Sequence, residues 1–237
     1  MKIDQYSLKA RVYPTLVVVL PILFLAIFYI TDFEVYYHYI TAFISIGLLT
    51  YLLSHLGRDA GKSKESKLYE LWGGKPTTQI LRHSNSILDT RTKERYYRTL
   101  QEKIERLNIP TLDEEKQDAI STDEIYNSCA TYLISKTRDT NKYNLLFSEN
   151  INYGFRRNLW GMKTLGLFIL LFCFLIHLTI ATDFFSSISF LPNIDLYLYI
   201  AFAIDLFFWL FVVKPNWVKT VAFEYAKRLY ETLELIN

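Results

Sequence analysis

Two long windows of this sequence contain no lysine or arginine. The chain has 237 residues and 26 Lys plus Arg, yet residues 12–57 and residues 164–213 contain none of them. A soluble domain distributes its cations over its whole surface, so these windows of 46 and 50 residues exclude an ordinary globular protein. The same pattern, with only two cysteines in the chain, excludes a disordered chain and a disulfide-stabilised secreted domain.

Four apolar segments account for the two windows. A bilayer core about 30 Å thick is crossed by roughly 20 helical residues. Segments of about that length occupy residues 13–30, 35–56, 164–181 and 194–213. The first segment is expected to be retained rather than cleaved as a signal peptide, because no small-residue cleavage site follows it. The sequence therefore predicts four transmembrane helices, arranged as two hairpins.

The cations that flank these segments predict the topology. Cations near the ends of membrane spans remain on the cytosolic side. Both termini and the 106 residues of segment 58–163 are therefore predicted to be cytosolic, in a multi-pass protein of the inner (plasma) membrane. The flanking cations are Lys2, Lys9, Arg11, Arg58, Lys62, Lys64, Lys67, Arg156, Arg157, Lys163, Lys214, Lys219, Lys227 and Arg228, whereas the two short outward loops carry only Asp32, Glu34, Asp183 and Asp195.

The predicted fold class is an all-α polytopic membrane protein. An N-terminal transmembrane hairpin takes residues 1–57, a helical cytosolic domain takes 58–163, a C-terminal hairpin takes 164–213, and a cytosolic amphipathic helix takes 214–237. The hairpins share a layout but no residue-level repeat, so an inverted-repeat transporter gains little support.

The charge of the cytosolic domain limits its partners. Residues 58–163 contain 19 Lys plus Arg and 15 Asp plus Glu, intermixed, for a net charge of +4. A nucleic-acid binder concentrates one sign of charge on a face, so nucleic acid is not expected as a partner. The modest positive charge is compatible with a position close to anionic lipid headgroups.

Helix signals recur through the cytosolic domain. Residues 62–72 are expected to extend the second span as a stalk, which Gly73-Gly74-Lys75-Pro76 ends. Asp89 is expected to cap a helix that runs to about Leu107. The capping-box pattern occurs at residues 111–114 and again at 121–124, and it predicts two further helix starts.

The C-terminal tail has apolar residues at spacings close to three and four. They predict an amphipathic helix that packs on the cytosolic domain, with an interfacial helix or a subunit contact as the alternatives. The residues of this stripe are Val218, Ala222, Tyr225, Leu229 and Ile236.

The segment from Leu71 to His83 is a candidate ligand-binding site. Paired glycines allow a close backbone approach, Lys75, Arg82 and His83 supply cationic donors, and Thr77 and Thr78 supply hydroxyls. Such a set would hold an anionic ligand, for example a nucleotide messenger or a lipid phosphate. The alternative is a tight turn that reverses the stalk, with Trp72 as a core anchor.

The segment Gly57–Ser63 imitates a phosphate-binding loop but lacks its spacing. Three residues separate Gly57 from Gly61, where the phosphate loop has four, and a membrane helix precedes it instead of a strand. The expected structure is a flexible cationic collar where the chain leaves the membrane.

Arg156, Arg157 and Trp160 precede the third span. Tryptophan prefers the headgroup zone and arginine pairs with anionic lipid, so these residues predict a membrane-interface anchor. A coupling element between the cytosolic domain and the spans is the alternative.

Asp205 and His177 are the polar residues with the strongest functional implication. Asp205 lies near the middle of the fourth span, where a carboxylate costs at least about 2.5 kcal/mol, so it is expected to face the bundle or a cavity. His177 lies nearer the outer end of the third span. A pore or a proton path is one expectation, and structural bonding between helices is the other.

Enzyme motifs are missing from the sequence. It contains no paired-histidine metalloprotease helix, no glycine-flanked serine elbow and no metal-ligand spacing, so neither a metal nor another cofactor is predicted. Clustering of separated histidines in the folded chain remains compatible with the sequence.

Three functions are compatible with this layout. In layout alone, without a shared motif, the chain resembles small multi-pass effectors of bacterial anti-phage systems, whose cytosolic sensors control membrane-permeabilising helices. That resemblance implies an oligomeric inner-membrane protein whose cytosolic domain senses a ligand or partner and regulates an ion-conducting pore. Four helices per chain are few to enclose a pore, so a homo-oligomer is expected. The alternatives are a non-conducting anchor or scaffold that recruits a cytosolic enzyme, and a lipid-modifying enzyme at the inner interface.

Overall fold

The computed structural model describes residues 4–29, 36–181 and 196–236, and every regular element in these ranges is helical. The all-α prediction is confirmed for this part of the chain. The helices are α1 (Gln5–Tyr29), α2 (Tyr36–Ser63), α3 (Glu65–Trp72), α4 (Pro76–Gln79), α5 (Thr90–Lys103), α6 (Leu112–Gln117), α7 (Ala119–Lys136), α8 (Asn144–Gly161), α9 (Lys163–Ala181), α10 (Leu196–Val212) and α11 (Pro215–Glu231). A short 3-10 turn, Thr232–Glu234, follows α11.

Two helices are long and apolar enough to cross a membrane. They are α1 and residues 163–180 of α9, and they match the first and third predicted spans. A third candidate is the broken pair Leu196–Val212 and Pro215–Glu234, whose first half matches the fourth predicted span. The described part of the second predicted span, residues 36–56, lies within α2, and α2 is not among the helices that are long and apolar enough to cross a membrane. Two or three candidate spans agree with membrane insertion, while a total of four is not confirmed. The acidic outward loops lie outside the described residues.

The chain divides into two compact units. The first unit comprises residues 1–64 and 154–218, and the second comprises residues 65–153 and 219–237. Each unit is therefore built from two separated stretches of sequence.

Glycines bring two helices of the first unit into direct backbone contact. A Cβ built on Gly161 would lie 2.5 Å from the Gly61 nitrogen, and one on Gly57 would lie 2.5 Å from the Met162 sulfur. Gly57 and Gly61 are four residues apart on α2, the spacing at which small residues let membrane helices approach closely. The expected flexible collar at Gly57–Ser63 is therefore wrong, because this stretch is helical and its glycines form a packing surface.

Two lysines satisfy carbonyl groups at helix ends in the first unit. Lys64 Nζ donates to Gly161 O over 2.6 Å, at the end of α8. Lys163 Nζ donates to Val213 O over 2.8 Å, where α10 ends. Both carbonyls lie at the negative ends of helix dipoles, where a cation is favourable.

The core of the first unit is apolar and centres on Trp209. This side chain is fully buried, and a Cβ at Gly166 would overlap its ring, so a larger residue at position 166 would displace it. The last turn of α10, Phe208–Val212, is π-helical and carries Trp209. Its core neighbours are Val18, Leu159, Met162, Leu170, Cys173, Leu198, Phe202 and Val213.

The second unit has its own apolar core, to which α11 contributes. Ala226, Leu229 and Tyr230 are buried in the same cluster as residues of α5 and α7, so the predicted packing of the tail helix is confirmed. The other buried members are Ile80, Leu81, Leu88, Tyr96, Tyr97, Leu100, Tyr126, Cys129, Ala130, Leu133, Tyr143, Leu146 and Leu233.

Helix boundaries in the second unit confirm some local predictions and correct others. The Asp89 carboxylate caps α5 by accepting from Thr92 N over 3.0 Å, and Thr111 with Glu114 forms the first predicted capping box. The second predicted box is wrong, because the Asp118 carboxylate already accepts from Ile120 N and Ser121 N and starts the helix at Ala119.

The ends of two other predicted helices also differ. The helix after Asp89 ends at Lys103 rather than near Leu107, because Ile104 takes an extended conformation while its side chain packs against the core. The stalk is not continuous either, since a turn at Lys64 separates α2 from α3.

The glycine contact makes a direct prediction about stability. Gly161→Ala should destabilise the protein by about 1–3 kcal/mol, because the new methyl group meets backbone atoms that have no free rotation. Gly47→Ala is the matched control, since nothing lies within 4 Å of a Cβ at that position. Melting temperatures of the purified protein in detergent would test this. Equal melting temperatures for the two variants would contradict the packing described.

Candidate functional site

Two of the three cationic residues of the predicted anion site, Arg82 and Lys75, donate hydrogen bonds to other groups of the protein. Arg82 donates from Nε to Asp123 Oδ1 over 2.8 Å, from a terminal nitrogen to the other carboxylate oxygen, and from Nη1 to Gly73 O over 2.9 Å. The hydrogen bonds to Asp123 raise the pKa of Arg82 above its ordinary value. Lys75 is exposed and donates to Asn127 Oδ1 over 3.0 Å. The guanidinium therefore fixes the Gly73–Gly74 turn onto α7.

The glycine pair ends α3 in a conformation that other residues rarely adopt. Gly73 and Gly74 have φ values of 81° and 130°, and Gly74 N donates to Tyr69 O over 2.8 Å. Pro76 follows and begins α4. Trp72 is 6% exposed, as expected for a core anchor. The alternative interpretation of this segment as a tight turn thus describes its backbone.

The remaining predicted ligand-binding residues also have structural contacts. Thr78 is buried, and the carbonyl of Thr77 accepts from the Tyr230 hydroxyl over 2.8 Å. The ring nitrogen Nε2 of His83 lies 2.8 Å from Pro110 O, and its backbone N–H donates to Glu115 Oε2 over 2.7 Å. The structure brings Lys75 and Thr78 to one groove, whereas Thr77, Arg82 and His83 do not line it.

Glu115 organises this region, although the sequence interpretation gave it no role. Its buried carboxylate accepts from the backbone N–H groups of His83 and Ser84, from the Ser84 hydroxyl and from the Tyr126 hydroxyl. Burial acts to raise the pKa of Glu115, but these hydrogen bonds outweigh it and hold the pKa below its ordinary value. Glu115 therefore joins α6, α7 and the loop after α4.

Lys93 provides the buried positive charge near Glu115. Its ammonium group donates to Arg82 O over 2.7 Å and also to Asn85 O. Burial lowers the pKa of Lys93, while the charge of Glu115 opposes that shift. The two side chains fix the loop between α4 and α5 from both sides.

The groove that includes Lys75 has a volume of about 510 Å³ and an acidic lining. Lys75 is its one lysine or arginine, whereas Glu70, Asp123 and Glu124 also line it. This distribution of charge gives no support to a multivalent anion as the ligand, and the anion site stays a prediction. The other lining residues are Ser66, Tyr69, Gly73, Gly74, Thr78, Ile120 and Asn127.

The three predicted interface residues occupy different environments within the first unit. Arg156 donates to Trp217 O over 2.9 Å, and its guanidinium lies 4.7 Å from the centre of the Trp217 ring. Arg157 is only 8% exposed and contacts Asn158 Oδ1. Trp160 is half-buried beside the Lys64 ammonium group. Arg156 and Arg157 therefore stabilise the fold, and contact with lipid headgroups stays a prediction.

His177 is enclosed by aromatic residues of two neighbouring helices. It is fully buried, its Nδ1 lies 2.7 Å from the Tyr29 hydroxyl of α1, and its ring centre lies 4.8 Å from that of Tyr199 on α10. Phe28 and Phe202 complete the described aromatic contacts. His177 thus links α1, α9 and α10.

Asp205 is buried next to Trp209, one helical turn further along α10. It is 5% exposed, and its Oδ2 has no hydrogen-bond partner among the described residues. The indole N–H of Trp209 is a hydrogen-bond donor close to this carboxyl group, but its nitrogen lies outside full hydrogen-bond geometry. Asp205 and His177 share no hydrogen bond in the described parts of the chain.

Neither a metal centre nor a known relative identifies the site. No group of three or more His, Cys, Asp or Glu in the described ranges could hold a metal ion. Comparisons with protein-family models, curated proteins and solved structures give no significant match to this chain. The features of the described chain that bear on function are therefore Asp205, His177 and the acidic groove.

The Glu115 network predicts a pH-dependent stability. Because the folded pKa lies below its ordinary value of 4.5, the ionised carboxylate stabilises the protein at neutral pH, and this contribution is lost as pH falls through the folded pKa. Glu115→Gln should cost about 1–3 kcal/mol at neutral pH, since buried N–H donors lose a charged acceptor.

Melting temperatures measured between about pH 7 and about pH 3 would test this, with Glu94→Gln as an exposed control on α5. The difference in melting temperature between the wild type and Glu115→Gln should become smaller as the pH falls. A gap that stays constant over the range would show that the ionised form of Glu115 has no special role.

Proposed function

We propose that this chain is a four-span protein of the plasma membrane that assembles into a homo-oligomeric, ion-permeable pore. Both termini and the second unit lie in the cytosol, where the second unit binds a ligand or a partner protein and controls the pore. The buried carboxyl group of Asp205 is the observation that carries this proposal. An ionisable residue within an apolar span is costly and is typical of ion or proton pathways.

The surroundings of Asp205 favour a functional role over a structural one. A carboxyl group that only joins helices would have its hydrogen bonds satisfied by neighbouring groups, as the Glu115 carboxylate has. Asp205 Oδ2 accepts no hydrogen bond from the described residues. The free-energy cost of burying this oxygen is therefore not offset by a hydrogen bond within the described structure.

A pore requires several copies of the chain. The groove between α9 and α10 has a volume of about 340 Å³ and an almost wholly apolar lining, so this groove is not a polar path. Its lining residues are Leu167, Leu170, Leu171, Phe174, Tyr199, Phe202, Ala203 and Leu206. A symmetric oligomer would bring the polar residues of several subunits around one axis.

A non-conducting anchor that recruits a cytosolic partner is the second candidate function. The acidic groove of the second unit supports it, since Ile120 at its edge is 78% exposed beside Glu124. An exposed apolar side chain with acidic neighbours fits a protein partner better than an anionic metabolite. A role in anti-phage defence rests on the layout of the chain alone and stays a prediction.

Ion flux from proteoliposomes tests the pore. Asp205→Asn keeps the size and much of the hydrogen bonding of the side chain but removes its charge. If Asp205 lines the path, this variant should assemble normally while cation flux falls by about tenfold or more, as expected for the loss of about 1.4 kcal/mol of stabilisation. Asp205→Leu should reduce flux and also weaken the oligomer.

Oligomer size in detergent is measured in parallel for both variants. Wild-type protein that assembles but conducts no ions would refute the pore and favour the anchor. Full flux and unchanged selectivity in Asp205→Asn would remove Asp205 from the conducting path.

Cysteine labelling tests the proposed topology. Single cysteines at Asp32 and Asn193 should react with an impermeant thiol reagent added outside intact cells, and one at Asn85 should react only after permeabilisation. Both native cysteines are buried, which keeps the background low. Labelling of Asn85 from outside would reverse the orientation.

A further inference from the structure

Asp205, Trp209 and Gly166 form one contact in the first unit, here called the Asp205 contact. Trp209 is fully buried, and its ring lies so close to Gly166 that a Cβ there would overlap it. Asp205 is 5% exposed and lies one helical turn before Trp209. The contact therefore joins α9 to the π-helical turn of α10.

The contact contains a buried donor and a buried acceptor that both lack a hydrogen bond. Trp209 Nε1 and Asp205 Oδ2 each have no partner among the described residues. An ionised carboxylate in such a place would cost several kcal/mol, because the one donor that the described structure places beside it is the Trp209 indole N–H, which lies outside full hydrogen-bond geometry. A neutral carboxyl group avoids most of that cost, so the closed contact is compatible with the protonated form of Asp205.

No other described charge would stabilise an ionised Asp205. The titratable groups on the helices packed against α10 include Cys173 and His177 on α9 and Tyr29 on α1. His177 lies against Tyr199 and Phe202, and its Nδ1 pairs with Tyr29. The remaining groups, towards the ends of these helices, are Tyr6, Lys9, Arg11, Tyr13, Lys163, Tyr197 and Lys214, and the structure gives none of them a hydrogen bond or ion pair with Asp205.

We infer that the Asp205 contact is a proton-dependent switch: it is closed while Asp205 holds a proton and opens when that proton passes to water. The carboxylate formed on deprotonation needs hydration, which it obtains only if Trp209 moves away from Gly166 and water enters between α9 and α10. This inference rests on the proposed pore, since it assigns the step that opens it. The pore should then conduct more strongly as the pH rises.

Fluorine NMR of protein labelled with fluorotryptophan reports on the contact without any requirement for ion flux. The chain has four tryptophans, and the Trp209 signal is the one that Trp209→Phe removes. In wild-type protein this signal should shift as the pH is raised, and in Asp205→Asn it should stay at its acidic position. A Trp209 signal that does not respond to pH, or one that responds equally in Asp205→Asn, overturns the switch.

Gly166→Ala provides a second test of the same contact. The added methyl group should displace the Trp209 ring and give the alkaline position of its signal even at acidic pH. Gly47→Ala, which adds a methyl group in open space on α2, should keep the wild-type titration. A Gly166→Ala signal identical to that of the wild type at every pH would contradict the close contact and the switch with it.

Ion flux measured over the same pH range distinguishes a failure of the proposed switch from a failure of the proposed pore. Flux that rises with pH in wild type and stays low in Asp205→Asn supports both proposals. A Trp209 signal that titrates in protein without any flux refutes the pore while the switch at Asp205 stands. Flux that is independent of pH, with a Trp209 signal that does not titrate, overturns the switch and leaves the pore.

Discussion

The direct backbone contact between α2 and the end of α8 is the constraint on which the first unit depends. Gly61 and Gly161 have no side chains to separate the helices, and the Lys64 ammonium group satisfies the Gly161 carbonyl at the same point. A side chain at either position would meet backbone atoms of the other helix, so the absence of a Cβ is what allows this close approach. This contact fixes the start of α9, and Gly166, one turn into that helix, then receives the Trp209 ring.

The two units differ in how a buried carboxyl group is hydrogen-bonded. Glu115 in the second unit accepts hydrogen bonds from two backbone N–H groups and two hydroxyls, so its charge is stabilised and its role is to hold the fold. Asp205 in the first unit has an oxygen with no described partner. An uncompensated polar group in a packed interior is expensive, and such groups persist mainly where function requires them. For this reason Asp205 is the candidate functional carboxyl group, whereas Glu115 is a structural residue.

Much of the local structure could be predicted from the sequence, because it depends on neighbouring residues. Asp89 caps the helix that follows it, Thr111 and Glu114 form a capping box, and Gly73 with Gly74 ends α3. The candidate anion site depends instead on contacts between distant residues. The sequence shows that cations lie near Arg82, but it cannot show that the Asp123 carboxylate, 41 residues away, occupies that guanidinium.

The sequence by itself predicted the helical class and four apolar segments, of which two or three are supported as candidate membrane spans, and it located an acidic residue, Asp205, within one of these segments. These properties follow from composition and from periodicity over a few turns, which are local quantities. Only the tertiary structure decided that Gly57 and Gly61 form a helix-packing surface, that Glu115 joins three elements, and that Trp209 rests on Gly166 beside Asp205. Each of these facts depends on contacts between residues far apart in the chain, and spacing along a sequence does not encode which distant atoms meet.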